Sequence, residues 1–301
     1  MRSILLFTCI AAGILLPQAE KYNFLIQYLL MTMLFVSFLG IKVTRKIFTK
    51  DILLILLANI ALAFAWYLVL FPINHTLALI AFMTAIAPTA NAAIPVTHLL
   101  RGKVEYVMAS VIVTNLVIAS LLPLFISILH VQAADTPVVK ALQNITLVVI
   151  VPLLLAKLVS TYLPHVGKFI SRYKAVSFYA WIVAVFLAVS TSSNFIHVHR
   201  NIPTKNLIGT ALVVLGICLV NFSLGRLIGH KDHKLEASQS LGQKSTAFSV
   251  WYAVTFLSPI IALGPVFYLI FHNLYNSFQM IMKDREAKRL ALAQSVENEA
   301  L

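Results

Sequence analysis

The sequence predicts an all-α polytopic membrane protein. Hydrophobic residues make up 60% of the 301 and charged residues only 11%, with a mean hydropathy of +0.91, far outside the range of a soluble globular domain. Apolar runs of about 20 residues, long enough to cross a bilayer as a helix, recur along nearly the whole chain between short polar links, which is the pattern of spanning helices and not of a barrel. The basic residues are distributed as a membrane topology requires. The formal charge of +13 would suggest nucleic acid in a soluble protein; here it reports orientation, and no nucleic-acid partner is expected.

Ten spans are expected, near residues 3–17, 23–41, 51–71, 75–99, 104–130, 137–160, 175–194, 206–228, 237–257 and 259–277. The first is short, preceded by Arg2 and followed by Pro17, the outline of a signal peptide; without a convincing small-x-small cleavage site it is read as a retained helix. Spans two and three are plain Leu/Ile/Val/Phe helices. The fifth carries Thr114 and Asn115, which either approach a site or join helices. Cys9 and Cys218 lie in apolar runs and read as small core residues. His272, Asn273 and Asn276 close the tenth span and read as an interfacial polar cluster. His197 and His199, two apart on an outside loop with no further ligands, make a poor metal site. Residues 279–301 are polar and charge-mixed and read as a cytoplasmic tail.

A cytoplasmic N-terminus puts Arg2; Lys42, Arg45, Lys46 and Lys50; Arg101 and Lys103; Lys157, Lys168, Arg172 and Lys174; Arg226, Lys231 and Lys234; and Lys283, Arg285, Lys288 and Arg289 inside. Only Lys21, Lys140, Arg200 and Lys205 fall outside. The bias puts both termini in the cytoplasm, and the expected location is a bacterial inner membrane. One cation, Lys244, is left over.

Spans four and nine do not look like the others. In "TAIAPTANAAIPVTHLL", Pro88 and Pro95 each remove an N–H and free the carbonyls of Thr84 and Asn91, with Thr89 and Asn91 between the breaks. Either a neighbouring helix repairs two kinks, or protein and water line an open site. In "EASQSLGQKSTAFSVWYAVTF", Gln239, Ser240, Gln243, Lys244, Ser245, Thr246 and Ser249 surround a continuous helix and leave no lipid-facing stripe. Ser240, Gln243 and Lys244 share a face at that spacing, and Gly242 is a candidate break. The two spans hold equivalent places in repeats of about 1–133 and 137–278, inverted because five spans is odd. Interrupted spans at matching positions of inverted halves point to the midplane binding site of a secondary transporter. The candidate substrate- and ion-binding residues are Lys244, Ser240, Gln243, Ser245, Thr246, Thr89, Asn91 and Asn115, within one transmembrane domain, 1–278.

The blocks "AIAPTANAAIPVTHLLRGKVEYVMASVIVTNLVIASLLPL" (85–124) and "SLGQKSTAFSVWYAVTFLSPIIALGPVFYLIFHNLYNS" (240–277) resemble the bile acid:sodium symporter family. The resemblance covers essentially the full chain. It implies ten helices in a panel and a core domain, helices four and nine unwound where they cross, and uptake of organic anions such as bile acids, pantoate or keto acids. It also exposes departures. Sodium-using members carry Pro-Gly-Gly-Thr-Ala-Ser-Asn in helix four and Glu-x-Gly-x-Gln-Asn in helix nine, hard oxygen ligands suited to sodium. Aligned on Pro88, the Ser-Asn pair falls on Ala93 and Ile94, or a small gap brings in Asn91. Hydroxyl positions of helix five fall on Val107 and Val111, the glutamate on Ser240 and the glutamine on Lys244. With no acid read inside a span, the sodium site looks dismantled.

Unpaired charge inside a membrane is a functional signal by default. Lys244 has three readings: a tethered cation in place of sodium, attracting an anionic substrate; a proton carrier, since burial disfavours its charged form; or a structural donor that snorkels or binds freed carbonyls. The expectation is a carrier of a small or amphipathic carboxylate by alternating access, sodium-independent, with protons as the candidate coupling ion. A sodium-coupled symporter with a rearranged site and a non-transporting receptor are the alternatives; an arsenite exporter would need a cysteine in helix four. No phosphate loop, nucleophile elbow or zinc motif supports an enzyme, a cofactor or a metal.

Overall fold

A computed structural model describes residues 2–39, 50–129, 143, 146–172, 174–198, 204–230 and 232–299. Among them the chain forms thirteen α-helices and no strand: α1 Arg2–Leu15, α2 Leu25–Leu39, α3 Lys50–Leu70, α4 His75–Ile86, α5 Ala93–Leu99, α6 Val104–Ile128, α7 Val151–Tyr162, α8 Pro164–Arg172, α9 Lys174–Val198, α10 Thr204–Ile228, α11 Lys234–Gly242, α12 Thr246–Phe256 and α13 Leu263–Glu299. A π-helical turn, Thr146–Ile150, leads into α7. The helices of Lys50–Leu70, Val104–Ile128, Phe178–Val198 and Lys205–Ile228 are each long and apolar enough to cross a bilayer, and shorter apolar helices stand beside them. His199 and most of the first turn of span six lie outside the described residues.

Sequence period decides which face each helix buries. In α3, Ile52, Ile55, Leu56, Asn59, Ala63, Tyr67 and Leu70 form a buried stripe at helical spacing. Leu53, Leu54, Leu57 and Leu68 lie off it and are about half exposed, as a lipid-facing surface should be. Helices α1, α2, α7 and α9 pack mainly on one another, while α3, α4, α6, α10 and α11 form a second group, with α12 and α13 between.

The first helix is held by specific bonds. At Gly13 a Cβ would lie 2.9 Å from both the Phe186 carbonyl and Val189 Cβ, so only glycine lets α1 approach α9 this closely. The end of α1 leaves carbonyls without helical partners. Hydroxyls in the α9 run 190–193 meet them, Ser190 Oγ donating to Leu16 O at 2.6 Å and Ser193 Oγ to Ile14 O at 3.0 Å.

Spans four and nine are broken, but not as residue spacing suggests. Span four stops at Ile86 and resumes at Ala93. Pro88 lies in the gap, whereas Pro95 is in the first turn of α5, where an N–H has no helical partner to lose, so it does not break the helix. Asn91 O is not freed either; it accepts from Ile94 N at 3.3 Å. Span nine stops at Gly242 and resumes at Thr246, with Gln243 extended (φ −86, ψ 107). Ser240, Gln243 and Lys244 therefore do not share a helix face. Gly242 acts through space and not conformation: a Cβ there would fall on the Phe222 ring.

Span ten runs without a stop into the charge-mixed C-terminal residues, as one helix to Glu299. His272 and Asn276 are 4% and 5% exposed, facing the interior at the spacing of Tyr268 on the same helix.

Candidate functional site

The two gaps cross each other. Thr89 and Lys244 pair as an antiparallel bridge, with Ala90 N donating to Gln243 O at 2.9 Å and Ser245 N to Pro88 O at 2.7 Å. Backbone released from helix inside a membrane has to be satisfied by protein, and here each broken span satisfies part of the other.

Side chains supply the rest. From α6, Thr114 Oγ1 accepts from Thr89 N at 3.0 Å, and Asn115 Nδ2 donates to Thr89 O at 3.0 Å and to Val111 O at 2.8 Å. Thr89 Oγ1 donates to Ser240 O at 2.7 Å and lies 3.4 Å from Ser110 Oγ. From α13, the Tyr268 hydroxyl donates to Gly242 O at 2.7 Å, and Asn221 Nδ2 of α10 donates to that hydroxyl at 3.2 Å. From α3, Asn59 Nδ2 donates to Ala87 O at 3.1 Å, while its Oδ1 accepts from Lys244 Nζ.

Lys244 is 2% exposed, so it does not snorkel. Its hydrogen-bond acceptor is an amide oxygen, Asn59 Oδ1. The lysine follows the C-terminal end of α11 and is bridged to the segment that follows the C-terminal end of α4. Helix C-termini carry partial negative charge and favour a cation. Onward from the crossing, α12 begins with an N-terminus, the end that favours an anion. The arrangement places the lysine amine on one side and the start of a helix on the other.

The structure brings Lys244, Thr89, Asn115, Pro88, Ser245 and the Ser240 and Gly242 carbonyls to one crossing. Gln243 contributes its carbonyl, but its side chain leads away: Nε2 donates to Gln239 Oε1 at 2.6 Å, and Gln239 donates in turn to Gln279 Oε1 at 2.6 Å and Asn276 Oδ1 at 3.3 Å. Thr246 lies in the wall of a cavity of about 10 Å³ between α9 and α12–α13, beside Val185, Val189, Val250, Val266 and Leu269. Asn91 Oδ1, Ser240 Oγ and Ser249 Oγ are buried without partners. Val107 and Val111 are fully buried and apolar; the oxygens of α6 come instead from Ser110 and Thr114, one turn apart. Sequence reasoning missed Asn59, Ser110, Asn221 and Tyr268. Asn59 left a signal, being the one amide in span three.

The family model described as Sodium Bile acid symporter family matches residues 23–197, more than half of the chain. No curated protein matches the sequence.

Proposed function

This chain belongs to the sodium bile acid symporter family, and is thus a multi-pass membrane transporter, and we propose that it carries an organic carboxylate without sodium. The observation that carries the reading is the buried Lys244 at the crossing, paired with the Asn59 amide and, among the described residues, with no carboxylate. In this reading the ammonium stands where family members bind sodium, compensated by the C-terminal ends of α4 and α11 and by Asn59. Half-helix C-termini that hold a cation and N-termini that receive an anion are the arrangement expected of such carriers. The substrate's carboxylate would sit toward the α12 N-terminus with Ser245 and Thr246, and the unpartnered oxygens of Asn91 and Ser240 remain for its polar groups. A 10 Å³ cavity holds about one water. An organic anion entering beside Thr246 would need α9 to separate from α12 and α13, a movement of the kind alternating access calls for.

The same proposal takes α4–α5 and α11–α12 as corresponding parts of inverted repeats within one domain of ten spans. It places both termini in the cytoplasm of a bacterium. The positive-inside bias supports that orientation.

Counterflow or uptake in proteoliposomes tests the reading: transport of a carboxylate should persist when sodium is replaced by choline on both sides. Collapse on replacement would favour the second reading, a sodium symporter using Asn91, Ser240 and open carbonyls, for which the unpartnered oxygens speak. If Lys244 instead carries a proton, an inward pH gradient stimulates uptake and Lys244→Gln abolishes that stimulation.

A further inference from the structure

Away from the crossing, the first turns of α3, α6 and α11 meet the last turn of α5 in a polar corner. Asp51 (7% exposed) and Glu236 (5%) are the buried acids among the described residues, and both stand here. The expected spans start on Asp51 and one residue after Glu236, so the sequence places neither acid in a span interior. Glu236 Oε1 accepts the Lys103 N–H at 2.6 Å, tying α11 to the start of α6. Asp51 Oδ1 lies 3.6 Å from Nε2 of His230, whose side chain is 83% exposed, so the corner reaches solvent on that side.

Three polar atoms in this corner have no partner: the Tyr106 hydroxyl, Thr97 Oγ1 and His233 Nδ1. Tyr106 is 4% exposed and Thr97 fully buried. A Cβ added at Gly102 would lie 2.7 Å from Thr97 Cγ2, 3.0 Å from Leu235 Cδ2 and 3.2 Å from Glu236 Oε1, so the last turn of α5 and the first turn of α11 meet closely at this glycine. Tyr106 follows Lys103 into the first turn of α6, within electrostatic reach of both Asp51 and Glu236, and its ring stacks on His233 at 5.1 Å. Buried hydroxyls are normally met by protein or by a bound species, and buried carboxylates need a counter-charge. Here two of each lie in one corner.

We propose that this corner binds a hard metal cation through the carboxylates of Asp51 and Glu236 and the hydroxyls of Tyr106 and Thr97. All four donors are oxygens, the ligands that sodium, calcium and magnesium take. Occupancy would fasten α3, the α5–α6 link and α11 together at one end of both broken spans. The site is separate from Lys244 and does not depend on the transport reading.

Thermal unfolding of the purified full-length protein, read by tryptophan fluorescence, tests it with NaCl, CaCl2 or MgCl2 against choline chloride at equal ionic strength. One of the metals should raise the midpoint saturably, and which one does so separates a monovalent from a divalent site. Tyr106→Phe and Glu236→Gln should each weaken the apparent affinity tenfold or more. If Glu236→Gln fails to fold, Tyr106→Phe decides, since it deletes one hydroxyl and no charge. The proposal is overturned if no metal shifts the midpoint beyond choline, or if Tyr106→Phe binds with wild-type affinity. Sodium dependence of uptake is read separately, on the crossing variants.

Discussion

Replacing Lys244 by methionine separates a functional cation from a structural one. A lysine at mid-membrane costs about 2.5–3.5 kcal/mol on insertion scales. Against this, its hydrogen bond to Asn59 contributes about 1.5–3 kcal/mol. The two helix C-termini add about 0.3–1 kcal/mol each. The terms nearly cancel, so the ammonium contributes little net stability. Lys244→Met keeps the length and apolar stem but leaves Asn59 Oδ1 buried without a donor, since Asn59 is 2% exposed. The expected loss is about 1–3 kcal/mol, the desolvation of that one oxygen. Adding Asn59→Leu removes the stranded acceptor and frees Ala87 O, so the double variant should recover part of the loss, a coupling that a double-mutant cycle in denaturant reads directly. Transport should vanish in both. Wild-type uptake by the double variant would refute the fixed-cation reasoning, because the crossing would then need no positive charge.

Other substitutions test the surrounding contacts. Thr89→Val keeps the shape but strands the Ser240 carbonyl, with an expected loss of about 1–3 kcal/mol in denaturant midpoint analysis. Gly242→Ala drives a methyl into the Phe222 ring and should cost about 1–3 kcal/mol, with Phe222→Leu relieving part of it. Asn59→Asp supplies the acid the crossing lacks; the fold should survive as a paired charge, while anion uptake falls because the local positive potential is cancelled. Asn115→Leu should expose Thr89 O and lower both stability and uptake, whereas the same change at Asn273, which bonds its own helix at Leu269 O, should leave uptake intact.

The polarity of span nine was legible because seven polar residues spread around a helix leave no side for lipid, and the structure buries six of the seven, Ser245 being half-buried. The position of the first break was legible in part. Pro88 marks it, but Pro95 carries the same sequence signal and sits harmlessly in a first turn, since spacing alone does not tell a helix interior from a helix start. Partnership was not legible. Asn59 comes 185 residues before Lys244 and sits in a run of Leu, Ile and Ala, where a single amide is compatible with many roles. Tyr268 and Asn221 read as ordinary members of apolar spans, and only the tertiary approach of α10 and α13 to the Gly242 carbonyl gives them a task. The buried acids were missed because they stand at span ends: the third span starts on Asp51 and the ninth begins one residue after Glu236, so neither reads as an acid in a span interior.

A tethered cation changes what can drive transport. A bound sodium ion enters on one side and leaves on the other, so each cycle spends its gradient and neutralises part of the charge moved with the substrate. Lys244 returns with the protein, so the fixed charge does no net electrical work over a full cycle. Net charge then moves only with the substrate. Carrying a monoanion inward against an inside-negative potential costs about 2.3 kcal/mol per 100 mV. An uncoupled carrier built on this crossing would therefore favour efflux, or exchange of one anion for another, over accumulation. Accumulation would need a proton to accompany each carboxylate. A clamp of membrane potential across proteoliposomes distinguishes these cases: uptake by the fixed-cation carrier should slow as the interior is made negative, exchange of equal charges should be indifferent to it, and acceleration would mean that more than one positive charge enters with each anion.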